Sequence, residues 1–341
     1  MQTVKNKHIR VKIKDVIATL ERFAPLPLQD GFDNAGLQIG QTGAEVSGVL
    51  LCLDVTEAVV DEAVASGANL IVAHHPLLFH GLKCIAGRNT VERCVVRAIE
   101  NRIAVYAAHT NLDNARGGVN YKIAEKLGAT VEGFLLPKDA ESGSGVIANF
   151  PQPLVAAEFL QKVKDVFGVE CLMHNDYGLH RNVSKVGICG GAGAFLLQNA
   201  VAAGCDAFLT GEMHYHDWFG HEDEMLIAVA GHYQTEKFTT EIFSSLIKAE
   251  FPALRVDTTK IETNPIKYLR TMIKEVNKDS NEMTVEEKLG ALYKLQTLMS
   301  EIDKIKSLRG ELPLEVQDIE DEISRLQTRN QKIEDEIASH K

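Results

Sequence analysis

The sequence has no Cys-x-x-Cys pair. Its six cysteines, at 52, 84, 94, 171, 189 and 205, are scattered singly. That excludes a zinc ribbon or a disulfide framework and fits reduced, mostly buried thiols in a cytoplasmic protein. No apolar run is long enough to span a bilayer, and no signal-peptide pattern opens the chain. A basic surface is also lacking. The net charge of -11 disfavours nonspecific binding to nucleic acid. The glycine-rich stretch Gly190-Gly191-Ala192-Gly193 lacks the full G-x-G-x-x-G spacing and has no Walker lysine, so a tight strand-to-helix turn competes with a phosphate cradle there.

What remains is ordinary soluble material: 341 residues, 45% apolar and 24% charged, enough for a sizeable core and more than one domain. The apolar run Leu70-Ile71-Val72-Ala73 leads into His74-His75 and is stopped by Pro76. This reads as a buried strand presenting imidazoles at its carboxyl end, where open α/β sheets bind ligands. Adjacent side chains on a regular strand point to opposite faces, so both histidines serve one site only if the chain turns at Pro76. Otherwise one is buried and the other exposed.

The rest of the first half follows the same pattern. Helices are expected at 13–23, 56–66, 91–100 and 120–127, and strands at 49–53, 70–73 and 103–108. Asp33-Asn34-Ala35-Gly36-Leu37 reads as a polar turn held by side-chain to backbone hydrogen bonds. The strand ending at Ala108 runs into His109-Thr110-Asn111-Leu112-Asp113. Asp113 is either a carboxylate bridging two metal ions or a cap for the next helix. His109 is open to three roles: ligand, hydrogen-bond partner of a ligand, or proton carrier.

Further on, strands are expected at 146–150, 169–173, 183–189, 206–210, 225–230 and 254–256, with helices at 154–167, 194–203 and 236–248. Ser142-Gly143-Ser144-Gly145 reads as a loop. Thr210-Gly211-Glu212-Met213-His214-Tyr215-His216-Asp217 gathers metal-ligating and proton-transfer groups at a strand end. In Gly231-His232-Tyr233-Gln234-Thr235-Glu236, the histidine and glutamate are four apart and share a face if a helix begins there.

Composition shifts near residue 280. Residues 281–341 hold 9 Lys+Arg against 14 Asp+Glu, no cysteine and one aromatic, Tyr293. Thr284-Val285-Glu286-Glu287 forms a capping box. Leu295, Leu298, Ile302 and Ile305 follow at spacings of three and four, and Gly310 to Pro313 breaks the helix. Leu312, Val316, Ile319, Ile323, Leu326, Asn330, Ile333 and Ile337 then resume the stripe. The pattern predicts a helical hairpin forming a coiled coil, with Asn330 fixing its register.

His74-His75-Pro76, His109-Thr110-Asn111-Leu112-Asp113, Thr210-Gly211-Glu212 and Gly231-His232-Tyr233-Gln234-Thr235-Glu236, with the early Asp33-Asn34-Ala35-Gly36-Leu37, together closely resemble the Nif-three-like dinuclear-metal family, also called type 2 GTP cyclohydrolase I homologues. The resemblance covers roughly residues 10 to 268. It implies an α/β fold class with two α/β halves flanking a dimetal site. The matched motifs imply His74, His75, Asp113, His232 and Glu236 as ligands of two divalent metal ions, chosen among Zn, Fe, Mn and Ni. They also imply a ring-shaped hexamer and the short form without a large insert. On this basis the segments are 1–130, 131–270, a linker at 271–283 and a coiled-coil hairpin at 284–341. The hairpin resembles the coiled coil of C4-type zinc-ribbon proteins, without the ribbon.

The expected activity is hydrolysis of a nucleotide or phosphate-bearing small molecule through a metal-bound hydroxide. His109, His214 or His216 would carry the proton. The alternative is a non-enzymatic metal-binding ring scaffold that recruits protein partners through the coiled tail.

Overall fold

A computed structural model describes residues 10–269, 289–290 and 293–302. The chain divides into two units, Met1–Leu269 and Arg270–Lys341.

In the first unit, the early elements are α1 (Ile13–Phe23), β1 (Gly36–Ile39), β2 (Val49–Cys52), α2 (Glu57–Ser66), β3 (Leu70–Ala73), α3 (Thr90–Glu100), β4 (Ala104–Ala107), α4 (Thr110–Asp113) and α5 (Val119–Leu127). There follow β5 (Thr130–Pro137), β6 (Gly143–Val155), α6 (Ala156–Phe167), β7 (Met173–His174), β8 (Asn182–Cys189), α7 (Leu197–Ala202), β9 (Ala207–Thr210), β10 (Leu226–Val229), α8 (His232–Glu236), α9 (Thr239–Glu250) and β11 (Val256–Thr258). One sheet runs β1-β4-β3-β2-β11 and the other β5-β6-β8-β9-β10-β7. The chain therefore returns at its end to the first sheet, where β11 lies parallel to β2.

Each central strand of the first sheet is four residues long and wholly buried, which requires cover on both faces. The two-residue period supplies it. Leu70 and Val72 enter the core shared with α1, α5, α6 and α9, whereas Ile71 and Ala73 pack under Val59, Val60 and Ala63 of α2 and Cys94, Val95 and Ala98 of α3. The second sheet does the same. Leu209, Leu226 and Ala228 face the shared core, and Phe208, Ile227 and Val229 face Leu197 and Ala200 of α7. The inner faces of both sheets thus contribute to one core. Local signals end the helices: Thr56 Oγ1 accepts from Val59 N–H at the start of α2, and Gly67 closes it with φ 70°.

Several expected elements differ. Ser142 to Gly145 is not a loop, since β6 begins at Gly143 and pairs with β5 and β8. Gly36 to Ile39 forms an antiparallel edge strand against β4, where a polar turn was expected through Leu37. The strand expected at 169–173 shrinks to Met173–His174. Among the described residues no helix is long and apolar enough to cross a membrane.

In the second unit, residues 293–302 are helical and expose Leu295, Leu298 and Ile302. The rest of the hairpin expected over 284–341, Asn330 included, lies outside the described residues apart from 289–290, as does the linker at 271–283.

Candidate metal centre

All six parallel strand ends nearest the middle of the two sheets deliver chemistry to one place. β2 leads to Asp54, β3 into His74 and His75, and β4 to His109 and the short α4 that carries Asp113. From the other sheet, β8 leads into Gly190–Gly193, β9 into Glu212, and β10 into α8 with His232 and Glu236.

The doubt over adjacent histidines is resolved by the backbone. β3 stops at Ala73, and the following N–H groups of His74 and His75 still bond Cys52 and Leu53 carbonyls at 3.3 and 3.0 Å. The chain then turns, and both imidazoles lie on the same side, ring centroids 5.0 Å apart.

The four histidines of the site are held in the same way. His74 Nδ1 lies 2.9 Å from the Ala108 carbonyl, and His75 Nδ1 2.7 Å from Asp54 Oδ1. His109 Nδ1 is 2.7 Å from Asp33 Oδ1, and His232 Nδ1 is 3.0 Å from Glu212 Oε1. A carbonyl or carboxylate oxygen can only accept, so each Nδ1 carries a proton, and each Nε2 is the atom left to meet a carboxylate as N–H or a bound cation as a lone pair. This is the arrangement in which protein oxygens orient metal-binding imidazoles.

The Nε2 atoms converge on carboxylates. His75 and His232 Nε2 stand 2.9 and 3.1 Å from Glu236 Oε2. His74 Nε2 is 3.7 Å from both Glu236 Oε2 and Asp113 Oδ1, and it is buried with no hydrogen-bond partner. An orphaned buried lone pair is costly, and donors about 2.0–2.2 Å from a shared ion lie roughly 3–4 Å apart. His74, Asp113 and Glu236, His75, His232 and Glu236, and His74, His75 and His109 each form a group that can hold a metal ion. The donor set fits such an ion on geometry and on chemistry.

The electrostatics agree. Burial and the neighbouring Glu236 charge push the Asp113 carboxyl up. Burial also raises Glu236, but His74, His232 and His75 more than offset it and hold that carboxylate well below its usual range. Burial lowers His75, and Asp54 and Glu236 override it, lifting the imidazole to about 10. A buried and a half-buried carboxylate this close call for positive charge, which protons or metal cations can supply.

Asp113 does not cap α5, which begins after Gly118. His232 opens α8, so His232 and Glu236 do share one helix face. His214 and His216 lie apart from the cluster. Both are exposed, His216 beside the Tyr215 and Phe219 rings, while His214 borders a cavity of about 600 Å³ that His232 also lines. Gly190 to Gly193 forms the tight turn. Gly191 has φ 59°, and a Cβ on it would collide with Glu236 Oε1.

Two positioning groups were not anticipated. Asp54 stands two residues past a buried strand, a position at which an acid could have been singled out. Its second oxygen accepts from Thr263 Oγ1 at 2.8 Å, a residue brought close by the return of β11 to the first sheet. Asp33 was read as a turn former. It does accept from Asn34 N–H at 2.7 Å, but it also accepts from the N–H and hydroxyl of Thr110 and from His109.

Residues 11–265 match the family Duf34/NIF3 (NGG1p interacting factor 3). A Clostridium perfringens protein named GTP cyclohydrolase 1 type 2 homolog is 34% identical over 230 residues, which are 66% of this chain and 87% of that protein. A Lactococcus lactis protein of the same name is 33% identical over 260 residues, 75% of this chain and 98% of its own. The crystal structure of a Staphylococcus aureus hypothetical protein has the same fold, with a TM-score of 0.71 at 24% identity over 76% of this chain and 99% of its own.

Proposed function

The chain belongs to the Duf34/NIF3 family, and from that premise we propose that it is a dinuclear metal-dependent hydrolase of a nucleotide or another phosphate-bearing small molecule. The observation that carries the proposal is the set of Nε2 atoms, each imidazole fixed through Nδ1, that converges on the half-buried Asp113 and the buried Glu236. In this reading His74, His75, Asp113, His232 and Glu236 hold two divalent cations. Such a pair would lower the pKa of a bound water and polarise a phosphoryl or carbonyl oxygen.

The chain's own groups do the rest. Asp54 and Glu212 keep the Nε2 atoms of His75 and His232 turned inward. Asp33 holds the proton of His109 on Nδ1, so Nε2 is the atom that takes up or returns a proton beside the carboxylates. Exposed His214 and His216 are less suited to that role, because neither belongs to a metal-holding group among the described residues. A hexameric ring is part of the proposal and rests on the family resemblance.

A second reading, a metal-binding scaffold that recruits partners through the tail, draws on the exposed Leu295, Leu298 and Ile302 of the helix at 293–302. Metal-loaded and chelator-treated full-length protein assayed on phosphodiesters and nucleotides separates the two. Hydrolysis lost with the metal and restored on its return supports the enzyme. A metal-loaded protein inert on the whole panel supports the scaffold.

A further inference from the structure

Beside the cluster lies an inner cavity of about 210 Å³ with His109, Asp113, His232 and Glu236 in its wall. Two phenylalanines, Phe32 and Phe195, also line it, although they are 67% and 63% exposed. Large apolar side chains this open beside a polar centre call for an occupant. Phe32 continues into an aromatic wall, with Phe79 at 6.4 Å between ring centroids and His109 a further 6.2 Å on. Phe195 comes from the other sheet's side, following the Gly190–Gly193 turn. It also borders the adjoining cavity of about 600 Å³, within the roughly 300–1,000 Å³ usual for ligand sites.

Neither cavity has a lysine or arginine among its described lining residues, and the larger one carries Glu212 and Asp217. Lys138 approaches only as the partner of Asp30, at 2.7 Å. Sites that grip several phosphates use guanidinium and ammonium groups. Two divalent cations would not substitute for them here. Asp113, Glu236, Asp54 and Asp33 already stand in or directly behind the cluster and would balance their charge.

We propose that Phe32 and Phe195 clamp a flat heteroaromatic ring beside the cluster, and that the substrate carries no polyphosphate chain. The proposal rests on the hydrolase reading only for the cations' charge. The clamp itself rests on the two exposed rings and on a described lining without lysine or arginine. Stacking on aromatic side chains tolerates different ring systems, so a small panel of ring compounds tests it.

Titration calorimetry of the full-length protein with guanosine, adenosine, pterin, GTP and ribose 5-phosphate reads the outcome, with metal content measured on each sample. The nucleosides and pterin are expected to bind, GTP no more tightly than guanosine, and ribose 5-phosphate at least about tenfold more weakly than the rings. Phe32→Ala and Phe195→Ala should each weaken ring binding by about tenfold with metal content unchanged, and Phe195→Tyr should restore it. Ring binding that persists in a protein inert as a hydrolase leaves the clamp standing and removes only the hydrolase reading. Alanine variants that bind as the parent does overturn the clamp. So does a panel in which no ring compound binds at millimolar concentration, or GTP bound more than tenfold more tightly than guanosine.

Discussion

His74 Nε2 and Glu236 Oε2 face each other at 3.7 Å in a buried site, too far apart to share a proton well and without a hydrogen-bond partner for the nitrogen. The imidazole cannot relax, because its other nitrogen is tied to the Ala108 carbonyl. The carboxylate comes from the last residue of the short α8, one turn on from His232. The protein keeps this gap open at a cost in desolvation, and a bound cation would offset that cost.

Gly191 helps to set the position of Glu236. Its backbone is left-handed at φ 59°, and the carboxylate occupies the space a Cβ would need. Gly191→Ala should therefore push the Glu236 side chain out of place and lower metal content while the body stays folded. Elemental analysis beside circular dichroism checks this, and full metal content in the variant would show that the loop yields instead.

Asp54 should matter without touching a metal. Asp54→Asn weakens the grip on His75 Nδ1 and frees the wrong tautomer, so metal affinity should fall by about 10–100-fold. Thr263→Val removes only the hydroxyl that steadies the second oxygen of Asp54, so its effect should be smaller and in the same direction. Competition with a calibrated chelator measures both.

For His109, the expected outcome of His109→Gln is normal metal content with hydrolysis reduced by about 10²–10⁴-fold. Loss of an ion instead would make His109 a ligand, a role its place in a group with His74 and His75 also allows.

Asp33 gives a pH signature. Burial raises its carboxyl, and hydrogen bonds from His109, Thr110 and Asn34 overcome that and bring it to about 2. A carboxyl lowered from about 3.9 to that value stabilises the fold by about 2–3 kcal/mol above its unfolded pKa, and the contribution disappears as pH falls through the folded one. Asp33→Asn should lose roughly that amount at neutral pH and show a flatter stability profile between pH 4 and 2. Urea unfolding across that range reads both. An unchanged slope would mean that another acid carries the transition.

The parts of the site legible in the sequence are those where a strand end and its ligands are contiguous. Leu70 to Ala73 running into His74 and His75, Ala107 into His109 to Asp113, and Val229 into His232 to Glu236 all announce themselves by an apolar run followed by polar groups. What could not be read depends on pairing between distant segments. Thr263 reaches Asp54 across 209 positions, only because β11 returns to the first sheet. Asp33 meets His109 because β1 pairs antiparallel with β4, and a turn former at such a place looks like nothing more than a turn. Gly143 and Gly145 suggested a loop, but pairing with Leu136 and Pro137 of β5 carries β6 through them, although Gly145 is left-handed at φ 60°.

Asp113 offers the most direct test. It is the carboxylate on the His74 side of the cluster and is proposed to bridge the two ions. Metal analysis of the purified full-length protein, reconstituted with divalent cation and then desalted, should give about two equivalents per chain, and Asp113→Ala should lose at least one. Two equivalents retained by the variant, or none held by the parent, would contradict a dinuclear centre at these residues.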